Sequence, residues 1–404
     1  MNDSMNFRFH LYTEIVFGRN AVSGIAALVH KYGGTKVMFV YGEGSIKRSG
    51  LYDRVKSELG GGGIPYVEFG GAKANPLRSH ADEGMKLARE EGVDFFLGVG
   101  GGSAIDTAKA IALAAANDGE YWPYYRGTKP TRMAPVGTIN TIAAAGSEMS
   151  GSTVLVDDIG GEGKCGLMWP PVCRPVFAIM DPTLMYSLPA KQTAAGAADI
   201  FAHTFMRYFS QYDSYLSDEY CIATLNTVVR FAPVALAHPN DFDARAQLML
   251  AAAFSHNDLT EIGKPHNGMG GEHALERQLS GHYDFPHGEG LAVIMPAYMK
   301  YMVAHGSERD LAKVANLGAR VFGPLAASVA SADADTRAAA YEGIEKFTEW
   351  LRSLGLPTTL RELGIPEGEL KAAAERCVEN TGGSIKGYME LDADAIREIF
   401  ALAE

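Results

Sequence analysis

Short apolar runs alternate with amphipathic stretches along the first 185 residues of the chain. The runs are rich in β-branched and aromatic residues, which is typical of buried strands. They are VMFVY (37–41), IPYVEF (64–69), DFFLGV (94–99), PVGTI (135–139), TVLV (153–156) and PVFAIM (175–180). Helical periodicity lies between them near Leu51–Leu59, over Leu77–Glu91 and over Ala104–Ala116. This alternation predicts a parallel sheet covered on both faces by helices.

From about Tyr186 onward, alanine-rich helical segments follow one another, and strand candidates are nearly absent. The segments are 191–210, 214–237, 243–263, 267–280, 290–305, 307–322 and 334–354. We therefore predict two domains, an α/β domain over residues 1–185 and an all-α domain over residues 186–404. The boundary is expected near Asp181-Pro182, because a residue that precedes proline is biased away from the helical conformation.

Composition and charge narrow the class of protein. Of the 404 residues, 47% are hydrophobic and 21% are charged, which is typical of a packed globular protein. The formal net charge is -12 and no block rich in Lys or Arg occurs, so nucleic acid is not an expected partner. There is no apolar signal core and no run of about 18 apolar residues, so we expect a cytoplasmic protein without a membrane span. The 4 cysteines are scattered without a CxxC pair, which argues against a disulfide framework or a cysteine zinc site.

Three consecutive glycines, Gly100–Gly102, join the run at 94–99 to the helix that follows. Glycine lets a ligand approach the backbone, and the helix beginning at Ser103 presents unpaired N–H groups and the positive end of its dipole. These features predict an anion site suited to a pyrophosphate, although a tight connection without a ligand is the alternative. The dinucleotide fingerprint GxGxxG is not met. Asp106 and Lys109 follow on one helix face, either as residues of this site or as a simple i,i+3 ion pair.

A second loop, residues 41–50, follows the first predicted strand. In it, small residues are followed by Lys47 and Arg48, a combination that would accept the 2′-phosphate of NADP(H). Glu43 argues for NAD(H) if it points inward, and a plain surface turn is the alternative. The loop thus favours NADP(H) over NAD(H) if a dinucleotide binds. The small residues are Gly42, Gly44 and Ser45.

A third polar loop, TINTIAAAGSEMSGST (138–153), mixes hydroxyl groups with small residues. It follows the end of a strand, where ligands of open α/β sheets usually bind. We interpret it as part of the same site, with an ordinary surface loop as the alternative.

The helical half contains polar residues in an apolar setting. The segment AAGAADIFAHTF (194–205) places Asp199 and His203 one turn apart on one helix face, a spacing that can hold a cation. Downstream lie His273 and His287. One carboxylate with three neutral imidazoles suits Fe²⁺ or Zn²⁺. Each residue alone has a commoner structural role, and spacing alone leaves other histidines as possible ligands: His256, His266, His282 and His305.

Several motifs in the same order resemble the iron-containing, or group III, alcohol dehydrogenases along nearly the whole chain. They are TEIVFG (13–18), Asn75-Pro76, GGGSAIDTAKAIA (100–112), the TxxAxGSExS loop (141–150), the segment from Asp181 to Pro189, AGAADIFAH (195–203) and HALERQLSGHYDFPHGEGLA (273–292). The resemblance implies a Rossmann-like N-terminal domain that binds the nucleotide and an all-α C-terminal domain that binds the metal. The expected architecture is dehydroquinate synthase-like.

Matched position by position, the resemblance implies roles for individual residues. It implies metal binding, and with it catalysis, at Asp199, His203, His273 and His287. It implies coenzyme contacts at Asn75, Gly101, Gly102, Ser103, Asp106, Thr141, Ile142, Ser147 and Lys164. The loop after the first strand resembles the butanol-dehydrogenase-like branch, in which NADP(H) is common, and the family commonly forms homodimers.

Two positions depart from the family pattern. Arg277 stands four residues after the third ligand, where the family often has a histidine assigned to proton transfer or to the shape of the pocket. Arginine stays protonated and is a poor proton shuttle, but it can bind a carboxylate or phosphate on the substrate, so we count it among the candidate catalytic residues. Asn140 stands where many members have proline, which we expect to loosen the nucleotide loop slightly.

The sequence thus predicts a metal-dependent alcohol dehydrogenase or aldehyde reductase that moves hydride between the nicotinamide C4 and a small alcohol or aldehyde. Enzymes similar to dehydroquinate synthase or glycerol-1-phosphate dehydrogenase share the architecture and are the first alternative. A non-catalytic nucleotide-binding protein is the more distant one.

Overall fold

A computed structural model describes residues 6–161, 163–264, 270–283, 285–323 and 334–404. These residues pack into two compact units. The sheet unit consists of Phe9–Leu188 and Pro239–Asn257. The helical unit consists of Pro189–His238 and Asp258–Glu404, together with residues 6–8.

The secondary structure follows the predicted succession of elements. The strands are β1 (Glu14–Phe17), β2 (Val37–Gly42), β3 (Tyr66–Ala72), β4 (Phe95–Gly100), β5 (Val136–Asn140), β6 (Ser152–Asp157), β7 (Gly163–Met168) and β8 (Phe177–Met180). The helices are α1 (Ile25–Lys31), α2 (Ser45–Arg48), α3 (Leu51–Gly61), α4 (Arg78–Glu90), α5 (Gly102–Ala116), α6 (Pro170–Cys173), α7 (Ala190–Tyr208), α8 (Tyr215–Ala237), α9 (Phe242–Ser255), α10 (Gly271–Tyr283), α11 (His287–His305), α12 (Glu308–Phe322), α13 (Ala334–Ser353), α14 (Leu370–Asn380) and α15 (Ala393–Leu402). Short 3₁₀ helices lie at Ala21–Gly24, Trp122–Arg126, Pro182–Met185, Leu259–Glu261 and Glu367–Glu369.

The main sheet is parallel and has the strand order β1-β8-β5-β4-β2-β3, so the predicted fold class is confirmed. Strand β2 shows why its sequence is continuously apolar. Phe39 packs into the core on one face of the sheet, and Met38 and Val40 pack into the core on the other face. A strand covered by helices on both faces buries every side chain. At the carboxyl ends, Gly100 of β4 lies opposite Asn140 of β5, which sets two of the predicted ligand-binding loops side by side.

Three strands, β1, β6 and β7, differ from the sequence prediction, which contained neither β1 nor β7. The TVLV run (153–156) belongs to β6, which pairs with β7 in a separate antiparallel ribbon and takes no part in the parallel sheet. Only alternate residues of β6 are buried, as expected for a ribbon with one covered face. Strand β1, at the edge of the sheet beside β8, was not predicted because its four residues are not fully buried and give a weak pattern.

The helical unit is built around α7 and α11, which pack against each other. Their close approach depends on Gly288, since a Cβ there would lie 2.1 Å from the carbonyl oxygen of Ala195. Helix α10 also packs on α11, so the helices that carry the predicted metal ligands are neighbours. Several helix ends differ from the prediction. The helix expected over 243–263 ends at Ser255, the helix expected to end at residue 280 ends at Tyr283, and the helix expected from residue 290 begins at His287.

Helix α9 groups with the sheet unit even though its sequence lies in the helical half. The guanidinium of Arg19 lies 4.1 Å from the centre of the Phe242 ring. A Cβ at Gly146 would lie 2.4 Å from the carbonyl oxygen of Ala252, so this helix touches the loop backbone directly. The predicted domain bounds, 1–185 and 186–404, stay a prediction.

Candidate active site

Helix α7 places Asp199 and His203 on one face, as their spacing predicts. Both side chains are buried, on a helix whose other buried residues are mostly alanine, isoleucine and phenylalanine. His203 Nε2 lies 3.4 Å from Asp199 Oδ1. Neither group would be placed in such an apolar helix without a compensating partner, because burying polar groups is costly.

His273 on α10 and His287 at the start of α11 complete the cluster. The ligand atoms of Asp199, His203 and His273 all lie within 4.8 Å of one another. His287 Nε2 lies 3.7 Å from Asp199 Oδ1, and the His287 ring centre lies 5.6 Å from that of His273. The structure thus brings together the four residues that the sequence singled out as a metal site.

Two buried glutamates contact the Nδ1 atoms of two of the imidazoles. His273 Nδ1 donates to Glu272 Oε1 at 3.0 Å, and His287 Nδ1 donates to Glu276 Oε2. Both carboxylates are at most 1% exposed. A carboxylate on Nδ1 fixes the tautomer that leaves the Nε2 lone pair for a metal, and it raises the basicity of the ring. Neither glutamate is among the functional residues predicted from the sequence.

Glycine residues make room for these carboxylates. A Cβ at Gly290 would lie 2.8 Å from Glu276 Cγ. A Cβ at Gly270 would lie 2.2 Å from Glu272 Oε1. The space that each glutamate side chain occupies therefore depends on a glycine at the neighbouring position.

The donor set fits a divalent cation. Asp199 Oδ1 and His273 Nε2 are buried and have no hydrogen-bond partner among the described residues, which is the state expected of atoms that face a metal. Burial raises the pKa of Asp199, while His287 and His273 act in the opposite direction. One carboxylate with three imidazoles suits Fe²⁺ or Zn²⁺.

One side of the cluster is open. The His287 side chain is 33% exposed, whereas the side chains of Asp199, His203 and His273 are at most 11% exposed. A metal site with one accessible side, where a substrate can reach the ion, is typical of catalysis. Arg277 lies on α10 one turn after His273, is half-buried, and its charge lowers the pKa of Asp199 as a lesser contribution.

The other described histidines that the sequence left as possible metal ligands have partners outside the Asp199 cluster. His256 Nδ1 lies 2.8 Å from the carbonyl oxygen of Ala145 in the sheet unit. His282 is exposed and packs on Tyr283, and His305 Nε2 lies 2.7 Å from Glu398 Oε1. His266 lies outside the described residues.

The triglycine turn has the predicted form in the sheet unit. Gly100 has φ +145°, a conformation that favours glycine. A Cβ at Gly101 would lie 2.9 Å from Ile142 Cγ2, so a side chain there would collide with the third loop. Helix α5 begins at Gly102 without a side-chain cap, which leaves N–H groups for a ligand anion. Ser103 Oγ donates to the carbonyl oxygen of Ala74 at 2.8 Å, beside the predicted contact residue Asn75.

The third loop is tied to the triglycine turn. Thr141 N donates to the carbonyl oxygen of Gly100 at 3.0 Å. Ile142 N donates to Asn140 Oδ1 at 3.1 Å, so Asn140 adds a bond at the point where we expected looseness. Ser147 Oγ donates to Asp106 Oδ1 at 2.6 Å.

The second loop ends β2 and forms the short helix α2. Gly42 is the last residue of β2, and Gly44 and Ser45 open α2. Arg48 folds back, since a Cβ at Gly44 would lie 3.1 Å from its Nη1. Lys47 Nζ lies 4.9 Å from the centre of the Tyr52 ring. Glu43 is exposed, and Lys164 lies on β7 of the antiparallel ribbon.

Sequence comparison identifies the family. Residues 13–182 match the family model for iron-containing alcohol dehydrogenase, and residues 193–403 match the C-terminal model of the Fe-containing alcohol dehydrogenase family. This chain belongs to the iron-containing alcohol dehydrogenase family. Membership confirms the predicted class, a metal-dependent oxidoreductase that acts on alcohols or aldehydes with a nicotinamide coenzyme.

Relatives of this iron-containing alcohol dehydrogenase align along its whole length. It is 35% identical to NADH-dependent butanol dehydrogenase A of Clostridium acetobutylicum over 398 residues, which cover 98% of this chain and 99% of the relative. It is 31% identical to the NADPH-dependent aldehyde reductase YqhD of Escherichia coli, over 98% of this chain and 99% of the relative. The crystal structure of NADH-dependent butanol dehydrogenase A from Thermotoga maritima superimposes with a TM-score of 0.90 at 33% identity, covering 99% of each chain.

One helix of the described chain, Tyr215–Ala237, is long and apolar enough to cross a membrane by length and composition. Core helices of globular proteins often meet the same criteria, so this helix alone is weak evidence of a span.

Proposed function

We propose that this enzyme interconverts small alcohols and aldehydes at a single divalent cation held by Asp199, His203, His273 and His287. The observation that carries the proposal is the buried cluster of Asp199, His203 and His273, with the partly exposed His287 beside it. Asp199 Oδ1 and His273 Nε2 have no hydrogen-bond partner in the described chain. When bound, the ion supplies Lewis acidity that polarises a carbonyl group or acidifies an alcohol. Fe²⁺ and Zn²⁺ both suit the donor set.

The chain's own residues orient the reaction. Glu272 and Glu276 contact Nδ1 of His273 and of His287, which leaves Nε2 of each ring available to a metal; His287 Nε2 lies 3.7 Å from Asp199 Oδ1. Arg277 keeps its proton, so we propose that the proton of the reaction is exchanged with water or with the coenzyme ribose. We propose that Arg277 instead favours substrates that carry a carboxylate or phosphate.

The coenzyme is proposed to bind the sheet unit. Its pyrophosphate would lie on the N–H groups of Gly101, Gly102 and Ser103 at the start of α5. Further contacts are proposed for Asn75, Asp106, Thr141, Ile142, Ser147 and Lys164. The nicotinamide supplies or accepts the hydride.

We propose that NADP(H) is preferred over NAD(H). Lys47 and Arg48 lie in the short helix α2 after β2. Together with the small residues Gly42, Gly44 and Ser45, they are proposed to accept a 2′-phosphate. The exposed Glu43 can turn to solvent. The names of relatives include both coenzymes, since the clostridial relative is called NADH-dependent and the Escherichia coli relative NADPH-dependent. Comparison of kcat/KM for NADPH and NADH with one aldehyde tests the preference.

We further propose a cytoplasmic homodimer. Sedimentation or light scattering at working concentration tests the oligomeric state.

The central experiment links metal to turnover. Asp199→Ala and His287→Ala are each expected to lose bound metal and aldehyde reduction together, because each removes a ligand of the same ion. Metal content is measured after reconstitution with Fe²⁺ or Zn²⁺, and turnover is followed as NADPH consumption with butanal. The control is His305→Ala, which removes an exposed histidine paired with Glu398. Full activity in a variant that holds no metal would refute the proposal.

A further inference from the structure

A buried lysine, Lys109, contacts the third loop (residues 138–153). Lys109, in the middle of α5, has 0% of its surface exposed. Its Nζ, which carries three N–H donors, lies within hydrogen-bond distance of four oxygens: Ser147 O at 2.7 Å, Ser147 Oγ at 3.0 Å, Ser150 O at 3.0 Å and Ser152 O at 2.8 Å. The ion pair with Asp106 that the sequence left open is therefore not the main role of this residue.

The four oxygens belong to a tight turn and to the first residue of the strand that follows it. Gly146 has φ +67°, and its carbonyl oxygen accepts hydrogen bonds from Met149 N and Ser150 N, each at 3.1 Å. The chain then enters β6 at Ser152. Carbonyl dipoles gathered at one point repel each other unless a cation lies between them, and the ammonium group fills that position.

Helix α5 holds the turn with two opposite charges. Lys109 binds acceptors of the turn, while Asp106 binds its donors: Asp106 Oδ1 accepts from Ser147 Oγ at 2.6 Å, and Asp106 Oδ2 accepts from Val154 N at 3.0 Å. Removing either charge would leave the opposite set of polar atoms buried without its partner. The conformation of residues 146–154 thus depends on the side chains of Lys109 and Asp106 in α5.

The same turn continues the loop that covers the triglycine corner. Ile142 lies against Gly101, and Thr141 is bonded to Gly100. Burial lowers the pKa of Lys109 to about 8, with Asp106 as the largest opposing influence. An apolar side chain of similar length would fill this space without the desolvation cost of an ammonium group. The charge of Lys109 therefore indicates a role beyond packing.

We infer that Lys109 is a positioning residue for the coenzyme: its ammonium group is an internal cation that sets the conformation of residues 141–152 and thereby the affinity for the nicotinamide dinucleotide. The inference rests on the proposed function, because it requires the coenzyme to bind at Gly101–Ser103. Lys109 does not touch the reacting atoms, so it acts on coenzyme binding and leaves the chemical step unchanged.

The test compares two substitutions that differ in the space they leave. Lys109→Met keeps the volume and removes the charge, whereas Lys109→Ala also opens a cavity lined by the four oxygens. Both are expected to weaken NADPH binding about tenfold or more, the effect of losing a charged hydrogen bond. Binding is measured by NADPH fluorescence on the metal-loaded enzyme. Metal content and kcat at saturating NADPH should stay within about twofold of the parent enzyme, since the metal ligands lie on other helices.

Chemical rescue of NADPH affinity distinguishes a specific requirement for a cation from a general effect on stability. Ammonium or methylammonium chloride should restore NADPH affinity to Lys109→Ala, because the small cation can occupy the vacated oxygens. It should not restore affinity to Lys109→Met, whose side chain fills the cavity. Tetramethylammonium chloride at the same concentration controls for ionic strength. Leu113→Ala removes a buried side chain from the same helix and should lower stability without changing NADPH affinity.

The outcomes separate the two claims. If the parent enzyme binds neither NADPH nor NADH, the proposed function fails. If the parent binds coenzyme and both Lys109 variants bind it equally well, the inference is wrong while the proposed function stands. The inference is also overturned if Leu113→Ala loses the same affinity, or if no small ammonium ion restores binding to Lys109→Ala. Should the alanine variant fail to fold, Lys109→Met still decides whether the charge matters for binding.

Discussion

Glu276 offers the sharpest test of how the proposed metal site is built. Its carboxylate is 0% exposed and contacts Nδ1 of His287, the proposed ligand on the exposed side of the cluster. Glu276→Gln keeps the shape and one acceptor but removes the negative charge. Glu276→Ala removes the contact altogether and leaves the ring free to rotate.

The expected magnitude follows from this geometry. Loss of a residue that orients a metal ligand typically costs 10–100-fold in metal affinity, or about 1.4 to 2.7 kcal/mol. A charge-assisted hydrogen bond is roughly twice as strong as a neutral one, so we expect the glutamine variant near the lower end and the alanine variant near the upper end. Glu272→Gln should act in the same direction through His273, because its carboxylate is equally buried.

The assay is chelator competition on the metal-free protein, with Zn²⁺ as the probe. Glu398→Gln is the matched control, because Glu398 also pairs with a histidine, His305, but on the surface and away from the cluster. It should leave Zn²⁺ affinity unchanged. If Glu276→Gln and Glu276→Ala bind Zn²⁺ as tightly as the parent enzyme, the view that buried carboxylates hold these rings for a metal is refuted.

Three further predictions follow from other parts of the structure. Arg277→Met should lower kcat/KM for 4-oxobutanoate relative to butanal by about tenfold or more, because a charged hydrogen bond to the carboxylate is lost; an unchanged ratio would contradict an anion-binding role. Burial raises the pKa of Glu148 to about 7 from an ordinary value of 4.5, so its stabilising contribution is complete below pH 4.5 and is lost as the pH rises through 7. This amounts to about 3 kcal/mol, and urea unfolding as a function of pH should show a decline that Glu148→Gln lacks. Gly101→Ala should weaken NADPH binding while metal content stays unchanged, because the added Cβ would lie 2.9 Å from Ile142 Cγ2; equal binding by fluorescence would argue against the triglycine turn as the coenzyme site.

Local patterns in the sequence were sufficient for the features that depend on neighbours along the chain. The spacing of Asp199 and His203 places both on one helix face, because helical geometry repeats every 3.6 residues. The continuous apolar run at 37–41 indicated a strand covered on both faces, and β2 is such a strand. The glycines at 100–102 indicated a strand-to-helix turn, since backbone conformation there is a local property.

Pairings between distant segments were decided only by the tertiary structure. The TVLV run could join either a parallel sheet or a separate ribbon, because strand patterns do not specify the partner strand. Glu276 and His287 lie on different helices, and no periodicity relates them, so the carboxylate behind that imidazole was not predictable. Lys109 could be interpreted as the partner of Asp106 one turn away until the turn at 146–152 brought four oxygens to its ammonium group.

The physical reason for this division is the range of the forces involved. Hydrophobic periodicity and backbone preference act over a few residues, and they determine which elements form and which residues share a face. Burial removes water from polar groups, and the partner that replaces the water comes from whichever segment packs nearby. The sequence by itself therefore determined most of the elements and, through its family motifs, the candidate metal ligands, and only tertiary packing decided which buried carboxylates contact them.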